Sequence, residues 1–349
     1  MTCQRRCPPQ KKNTPFISGR RKPQKEAGFE ENSHLGIPST FQYLWLIFSL
    51  RRHFETVFLL RRQMGLYPQP KKWQCGPFAL KYALIMLGKT VDENEISRIA
   101  GTHWWAGTDE IKLGRAAKAY DCEMTFARRK DALRAKRELL LALKKGYPSL
   151  LCVDGWNHWI TVVGAERGKF IVIDSRGAPV VAIEDWRSLK RRWVYQEVDE
   201  DDPTLMKHLY DLHPVIPHFR VRTKARISLE RARYLRKAES RAFASHWDEY
   251  FNDLIAICTP RSPRATRGFP LGELFRRHAQ MITEQIVYWH GSVNPRHLRR
   301  VLRNLRFVAD TYDLVVRAED EKRAIAAITA NLTLWAASKY GVGEVYGNG

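Results

Sequence analysis

The hydrophobic rhythm of the chain passes from helical to strand spacing and back to helical. Cys75 opens Gly76-Pro77-Phe78-Ala79-Leu80-Lys81-Tyr82-Ala83-Leu84, a dense apolar run that predicts a helix over about 75–88. Pro77 suits its first turn, where a missing N–H goes unnoticed, and Gly88 suits its C-cap. Further helices are expected near 92–100, 108–120 and 131–145, the third announced by Thr108-Asp109-Glu110. The pattern then shortens, with strands expected near 149–154, 158–165, 169–174, 178–183 and 192–198. Helices gathered before an antiparallel sheet give an α+β domain. Beyond the acidic Asp199-Glu200-Asp201-Asp202-Pro203, read as a boundary, residues 203–349 are mostly helical. Candidates run near 226–258, 271–290 and 295–340, and Leu298, Leu302, Leu305, Val308, Tyr312 and Val315 form one helical stripe.

The N-terminal residues follow neither rhythm. Residues 1–40 are rich in Pro, Lys, Arg, Gln and Ser and read as an unstructured basic tail. Residues 41–63 are densely apolar but broken by Arg51-Arg52 and Arg61-Arg62. That run is too short to span a membrane and carries no small-residue cleavage site. It is expected to be a helix packed on the protein, with an interfacial anchor as the other reading. Met64 is a candidate biological start. The resulting division is 1–40, 41–63, an α+β domain over 64–202, and a basic helical domain over 203–349.

Composition adds two constraints. The formal net charge is +22, and the excess lies in the flanks. Residues 203–349 hold 24 Lys and Arg against 14 Asp and Glu, whereas 64–202 hold 23 against 19. A basic helical half is a candidate surface for a polyanion, either nucleic acid or an acidic protein. Six cysteines, at 3, 7, 75, 122, 152 and 258, show neither metal-ligand spacing in the folded part nor a disulfide framework. A reduced, cytoplasmic chain without cofactor or metal is expected.

The chemistry lies in two spacings. Gln69 stands six positions before Cys75, and His158 sixteen before Asp174. A thiol at a helix N-terminus is activated by that terminus and by a nearby imidazole. His158 would accept the thiol proton and return it to the leaving group, and Asp174 would orient the ring. Gln69 would offer an N–H to the oxyanion beside the backbone N–H of Cys75. Strand geometry tests the pair. A three-residue loop at 166–168, with Gly168 left-handed, pairs Ala165 with Lys169, so that paired numbers sum to 334. Asp174 then lies opposite Ile160, on the same face as His158. A two- or four-residue loop would place the pair on opposite faces.

Gln69, Gln74-Cys75-Gly76-Pro77-Phe78-Ala79-Leu80, Asn157-His158-Trp159 and Ile173-Asp174-Ser175 together resemble the bacteriocin-processing, double-glycine leader peptidases of the papain-like clan. The resemblance covers roughly 64–200. It implies a papain-like fold, a peptide or protein substrate, Cys75 as nucleophile, His158 as base and acid, Asp174 as orienter and Gln69 in the oxyanion hole. Many such enzymes are fused to an exporter, and this chain carries no Walker A loop. Ala83-x4-Gly88-Lys89-Thr90 has Ala for the first Gly and follows a helix. Related folds also host acyl transferases, so hydrolysis and transfer both remain open.

Other residues read more plainly. Cys152 is a core thiol. Gln74 could face solvent or the oxyanion hole. His208, His213 and His218 recur every five residues, which fits one face of neither helix nor strand, so no metal site is expected. His103-Trp104-Trp105 is an aromatic loop, able to line a groove or anchor the core. Arg128-Arg129-Lys130 and Lys190-Arg191-Arg192 read as solvated faces. The alternative to a thiol peptidase is a basic binding module whose peptidase-like fold is inert or regulatory.

Overall fold

A computed structural model describes residues 65–199, 202, 204–221, 223–260 and 268–341. The tail at 1–40, the segment at 41–63 and the candidate start Met64 lie outside them.

Helix α1 (Cys75–Met86) is buried on every side, as a helix apolar all round must be. It stops at Gly88, which has φ +80°. There Gly88 N–H donates to the Ile85 carbonyl (3.0 Å) and Lys89 N–H to that of Leu84 (2.9 Å). The next three helices are capped by aspartates. Asp92 starts α2 (Glu93–Ala100), Asp109 starts α3 (Glu110–Ala119) and Asp131 starts α4 (Ala132–Lys144). Each carboxylate accepts a first-turn N–H that has no partner inside the helix.

The sheet is antiparallel and has eight strands: β1 (Cys122–Met124), β2 (Ala127–Arg129), β3 (Ser149–Val153), β4 (His158–Glu166), β5 (Lys169–Ile173), β6 (Val181–Asp185), β7 (Tyr195–Val198) and β8 (Met206–Pro217). The main path runs β1-β8-β3-β4-β5-β6, with β2 and β7 also pairing β8. Alternate residues build two cores. Leu150, Cys152 and Trp159 meet α1, α2 and α3, whereas Leu151, Val153, Ile160 and Val162 meet α4 and the helix α5 (Trp186–Trp193). The Thr161 hydroxyl donates to the Ala79 carbonyl at 2.7 Å, fixing α1 across β4.

Three sequence expectations change here. The acidic run 199–203 does not end the sheet, because β8 follows it and pairs with β3 at Ser149↔Pro214 and Leu151↔Leu212. Leu209 through Val215 are all buried, so no alternation marks the strand. Its Asp211 and His213 look like surface residues until Arg128 neutralises the former and packing encloses the latter. The strand expected at 192–198 is confined to β7 (Tyr195–Val198), and an unexpected helix runs up to Trp193 before it. Asp185 accepts Ser188 N–H (2.8 Å) and starts α5, whose Leu189 and Trp193 are buried. The hairpin after His158 also differs. Glu166 pairs with Lys169, leaving a two-residue turn of Arg167 (φ +50°) and Gly168 (φ +74°). Alone, that turn would put His158 and Asp174 on opposite faces. A bulge between Val162 and Gly164 inserts one more residue. Beyond it Val162 pairs with Val172 and Thr161 with Ile173, so the expected sum of 334 returns where the site lies.

The C-terminal half holds α6 (Leu229–Leu235), α7 (Arg241–Ser245), α8 (Trp247–Ile257), α9 (Leu271–Trp289), α10 (Pro295–Thr311) and α11 (Glu321–Tyr340). A small sheet joins β9 (Thr259–Pro260), β10 (Gly268–Pro270) and β11 (Leu314–Arg317). Val315 therefore leaves the helical stripe for a strand, after Asp313 turns the chain with φ +53°. Phe78, Tyr82 and Ile85 of α1 and Ile171 and Ile173 of β5 share one core with Trp247, Phe251 and Tyr312. The Tyr312 hydroxyl donates to the Ile85 carbonyl (2.8 Å) and accepts from the Trp247 indole (3.0 Å). The helical half is thus built onto the sheet half through a common interior.

Candidate active site

His158 begins β4, and Asp174 follows β5 directly, so both stand at one end of the sheet. His158 Nε2 lies 2.6 Å from Asp174 Oδ1. The same oxygen accepts the backbone N–H of Arg176 at 2.9 Å, and Oδ2 accepts Arg192 Nη2 at 2.8 Å. Burial by itself would raise the Asp174 pKa. The His158 hydrogen bond and charge, the Arg176 N–H and the Arg192 guanidinium outweigh it and hold the carboxyl well below the usual range. An ionised Asp174 can only accept, so neutral His158 carries its proton on Nε2 and leaves Nδ1 as the basic nitrogen.

Arg192 is itself held on three sides. It reaches Asp174, Glu184 (2.6 Å) and Asp154 (3.2 and 3.3 Å). Burial opposes its charge, but these carboxylates push its pKa up. Asp154 also meets Arg176 at 2.9 Å. The Lys190-Arg191-Arg192 run, read as a solvated face, therefore supplies the cation behind Asp174. The legible signal was the Asp185 cap with Leu189 and Trp193 four apart, which turns Arg192 inward on α5. Arg128 departs from the solvated reading in the same way. Its guanidinium grips both oxygens of Asp211 at 2.7 Å and lies 4.9 Å from the Trp156 ring.

Cys75 is the first residue of α1, 6% exposed; His158 is 3% exposed. The first turn of α1 contains no acidic residue, and the N-cap Gln74 makes no side-chain capping bond. No acidic side chain in that first turn therefore offsets the positive end of the helix. Thr108 links the neighbours of the two residues. Its carbonyl accepts the indole N–H of Trp159 at 3.0 Å. Its Cβ packs so closely on Gly76 that an added methyl there would lie 3.2 Å away. Asp174 is also in electrostatic reach of α1. Burial raises the Tyr82 phenol far above its ordinary value, and the charges of Tyr67 and Asp174 add to that.

Gln69 is tied to the same end of the sheet, but not as expected. Its backbone N–H donates to the Ser175 carbonyl (2.8 Å), and its Oε1 accepts the Ser175 hydroxyl (2.5 Å). Its Nε2 donates to the carbonyls of Lys71 and Lys72, both at 3.0 Å. Both amide hydrogens thus serve the loop that leads into α1. Gln74 is buried beside the thiol, and its Oε1 has no hydrogen-bond partner.

The remaining histidines of the five-residue series separate. His208 meets Gln196 (2.9 Å), His218 meets Glu123 (3.5 Å), and His213 is buried between Phe126 and Trp159. Burial pushes the His213 pKa down to about 4. Among the described residues no group of His, Cys, Asp and Glu is arranged to hold a metal ion.

The chain matches no protein-family model and no curated protein. It is similar to the peptidase domain of Streptococcus ComA, a bi-functional ABC transporter involved in a quorum-sensing pathway. That match has 17% identity and a TM-score of 0.32, over 44% of this chain and 99% of that one. A double-glycine-motif protease from an AMS/PCAT transporter, solved with its leader peptide, matches at 18% identity and a TM-score of 0.32, over 44% and 96%. The peptidase domain of Streptococcus mutans ComA matches at 19% and 0.26, over 42% and 98%. As the motifs indicated, the likeness to double-glycine peptidase domains belongs to a segment of the chain.

Proposed function

We propose that this protein is a thiol peptidase, or a related acyl transferase, acting on a peptide or protein. The observation that carries the reading is the 2.6 Å contact of His158 with an Asp174 held ionised, at the end of the sheet that α1 crosses. In this mechanism Cys75 Sγ attacks the scissile carbonyl carbon as His158 Nδ1 takes its proton. The tetrahedral oxyanion forms near the N-terminus of α1. Gln69 joins as a donor by exchanging one of its loop carbonyls for the oxyanion. Collapse breaks the C–N bond, and His158 returns the proton to the leaving amine. Water, or an acceptor amine, then attacks the thioester with His158 as base and releases Cys75. Four described cysteines stand without disulfides, which supports a reducing compartment such as the cytoplasm. No described helix is long and apolar enough to cross a membrane.

The test is peptide cleavage followed by mass spectrometry, with hydroxylamine added to capture the acyl-enzyme. Wild type should yield products and a hydroxamate, and Cys75→Ala neither. Cleavage that survives Cys75→Ala at the wild-type rate would end the proposal.

The second reading, polyanion binding, has its own support. A cleft of about 820 Å³ between the two halves is lined by Lys144, Lys145, Lys224, Arg226 and Arg231, against Glu166 and Asp313. Such binding would weaken steeply with salt. The whole chain is the right material for that test, because the helical half shares its core with α1 and β5.

A further inference from the structure

We infer that Trp104 and Trp105 form a subsite for a bulky apolar side chain of the substrate peptide, an inference that rests on the thiol-peptidase reading. Tryptophan normally buries its large ring, and the core explanation of this loop fails. Trp104 is 68% and Trp105 60% exposed. An exposed apolar pair on a held loop marks a contact surface.

The loop is held at its base. His103 N–H donates to the Gly107 carbonyl (3.0 Å), and Gly107 N–H returns a bond to the His103 carbonyl (2.8 Å). The hydroxyls of Thr102 and Thr108 meet at 2.8 Å one step further down. Gly107 closes the turn with φ +66°. The His103 ring lies 5.9 Å from Trp104 and 5.2 Å, edge-on, from Trp105. The two indoles are thus pre-arranged, which lowers the ordering cost of binding.

The loop is placed by the residue that joins the two sides of the site. Thr108 rests on Gly76, next to Cys75, and its carbonyl holds Trp159, next to His158. Trp105 lies three residues before Thr108. Aromatic anchors of this kind dominate peptide contacts. A second exposed aromatic pair among the described residues, Tyr288 and Trp289, ends α9 in the helical half.

The test uses short fluorescein-labelled peptides that differ at one position, carrying Leu, Phe, Ala or Asp. Binding is read by anisotropy on the Cys75→Ala chain, where turnover does not interfere. Leu and Phe peptides should bind about tenfold more tightly than Ala or Asp peptides. Trp104→Ala with Trp105→Ala should erase that preference without lowering the melting temperature. In the active chain the same pair should raise KM about tenfold and leave kcat within about twofold. An unchanged preference and KM in the double variant would overturn the subsite and leave the peptidase reading standing. If wild type cleaves nothing, the peptidase reading falls separately. Anisotropy then still decides: a preference lost in the double variant upholds the platform, and a preference absent from the parent or kept in the variant overturns it.

Discussion

Two charge clusters, one enclosed and one partly exposed, are built to different ends. In the first, Lys81 of α1 is fully buried, 2.9 Å from Glu93 of α2, with the Tyr67 ring 4.1 Å from its ammonium. Burial pushes the Lys81 pKa down and Glu93 pushes it back, leaving it lowered. Both charges are enclosed and turned toward each other, an arrangement that fixes α1 against α2. In the second, Asp174, Glu184 and Asp154 surround Arg192, but Asp174 spends one oxygen on an imidazole that keeps a second nitrogen. Asp174 is 16% exposed, against a closed Lys81. A cluster whose valences are all met internally holds structure. The second cluster instead holds an imidazole by one nitrogen at a sheet end, where the proposed chemistry would use the other.

The largest effect expected separates the two at once. His158→Ala should reduce peptide cleavage by about a thousandfold or more, as loss of a triad member does, while the melting temperature moves little. Lys81→Met should do the reverse. Leaving Glu93 buried and unpaired should destabilise the fold by about 3–5 kcal/mol, read by urea unfolding, with Cys75 reactivity retained in the folded fraction. Adding Glu93→Leu should restore most of that stability. A Lys81 variant that is stable but inactive would merge the two clusters into one functional unit and break the comparison.

Arg192→Met comes next. Asp174 is depressed in the folded state, so its ionisation adds stability above the unfolded value near 4. That contribution is lost as pH falls through the lower folded value. Removing Arg192 takes away one of the influences holding it down, so the acid limb of the rate profile should move toward neutral pH. Activity at neutral pH should drop about tenfold. Arg192→Lys should recover part of it. An unmoved acid limb would make Arg192 a packing residue. Smaller still, Gly76→Ala should destabilise by about 1–3 kcal/mol, because the methyl meets Thr108 and Leu113.

The elements that carry the candidate residues were more legible than the fold around them. Cys75, His158 and Asp174 announce themselves because helix start, strand start and strand end each leave a local pattern. The register next to Asp174 matches the expected pairing although the turn differs, since a bulge at Val163 offsets a two-residue loop. No single-residue signal marks such a bulge. Strand β8 was illegible because it is buried on both faces and carries Asp211, whose charge makes sense only beside Arg128. Arg192 was misread for a related reason: its partners lie on three other segments, and only tertiary structure assembles them. The Gln69 side chain was expected to aim at the thiol, and its local loop carbonyls hold it instead.

The central claim is that Cys75 is an activated thiol, and competitive alkylation tests it most directly. Burial lifts Cys122 to about 11 and Cys258 to about 12, so both should react slowly near neutral pH. With limiting iodoacetamide at pH 7 and mass-spectrometric readout, Cys75 should be labelled first, and His158→Ala should slow that labelling while leaving the other cysteines unchanged. Labelling of Cys75 no faster than Cys122 and Cys258, and indifferent to His158, would contradict the account.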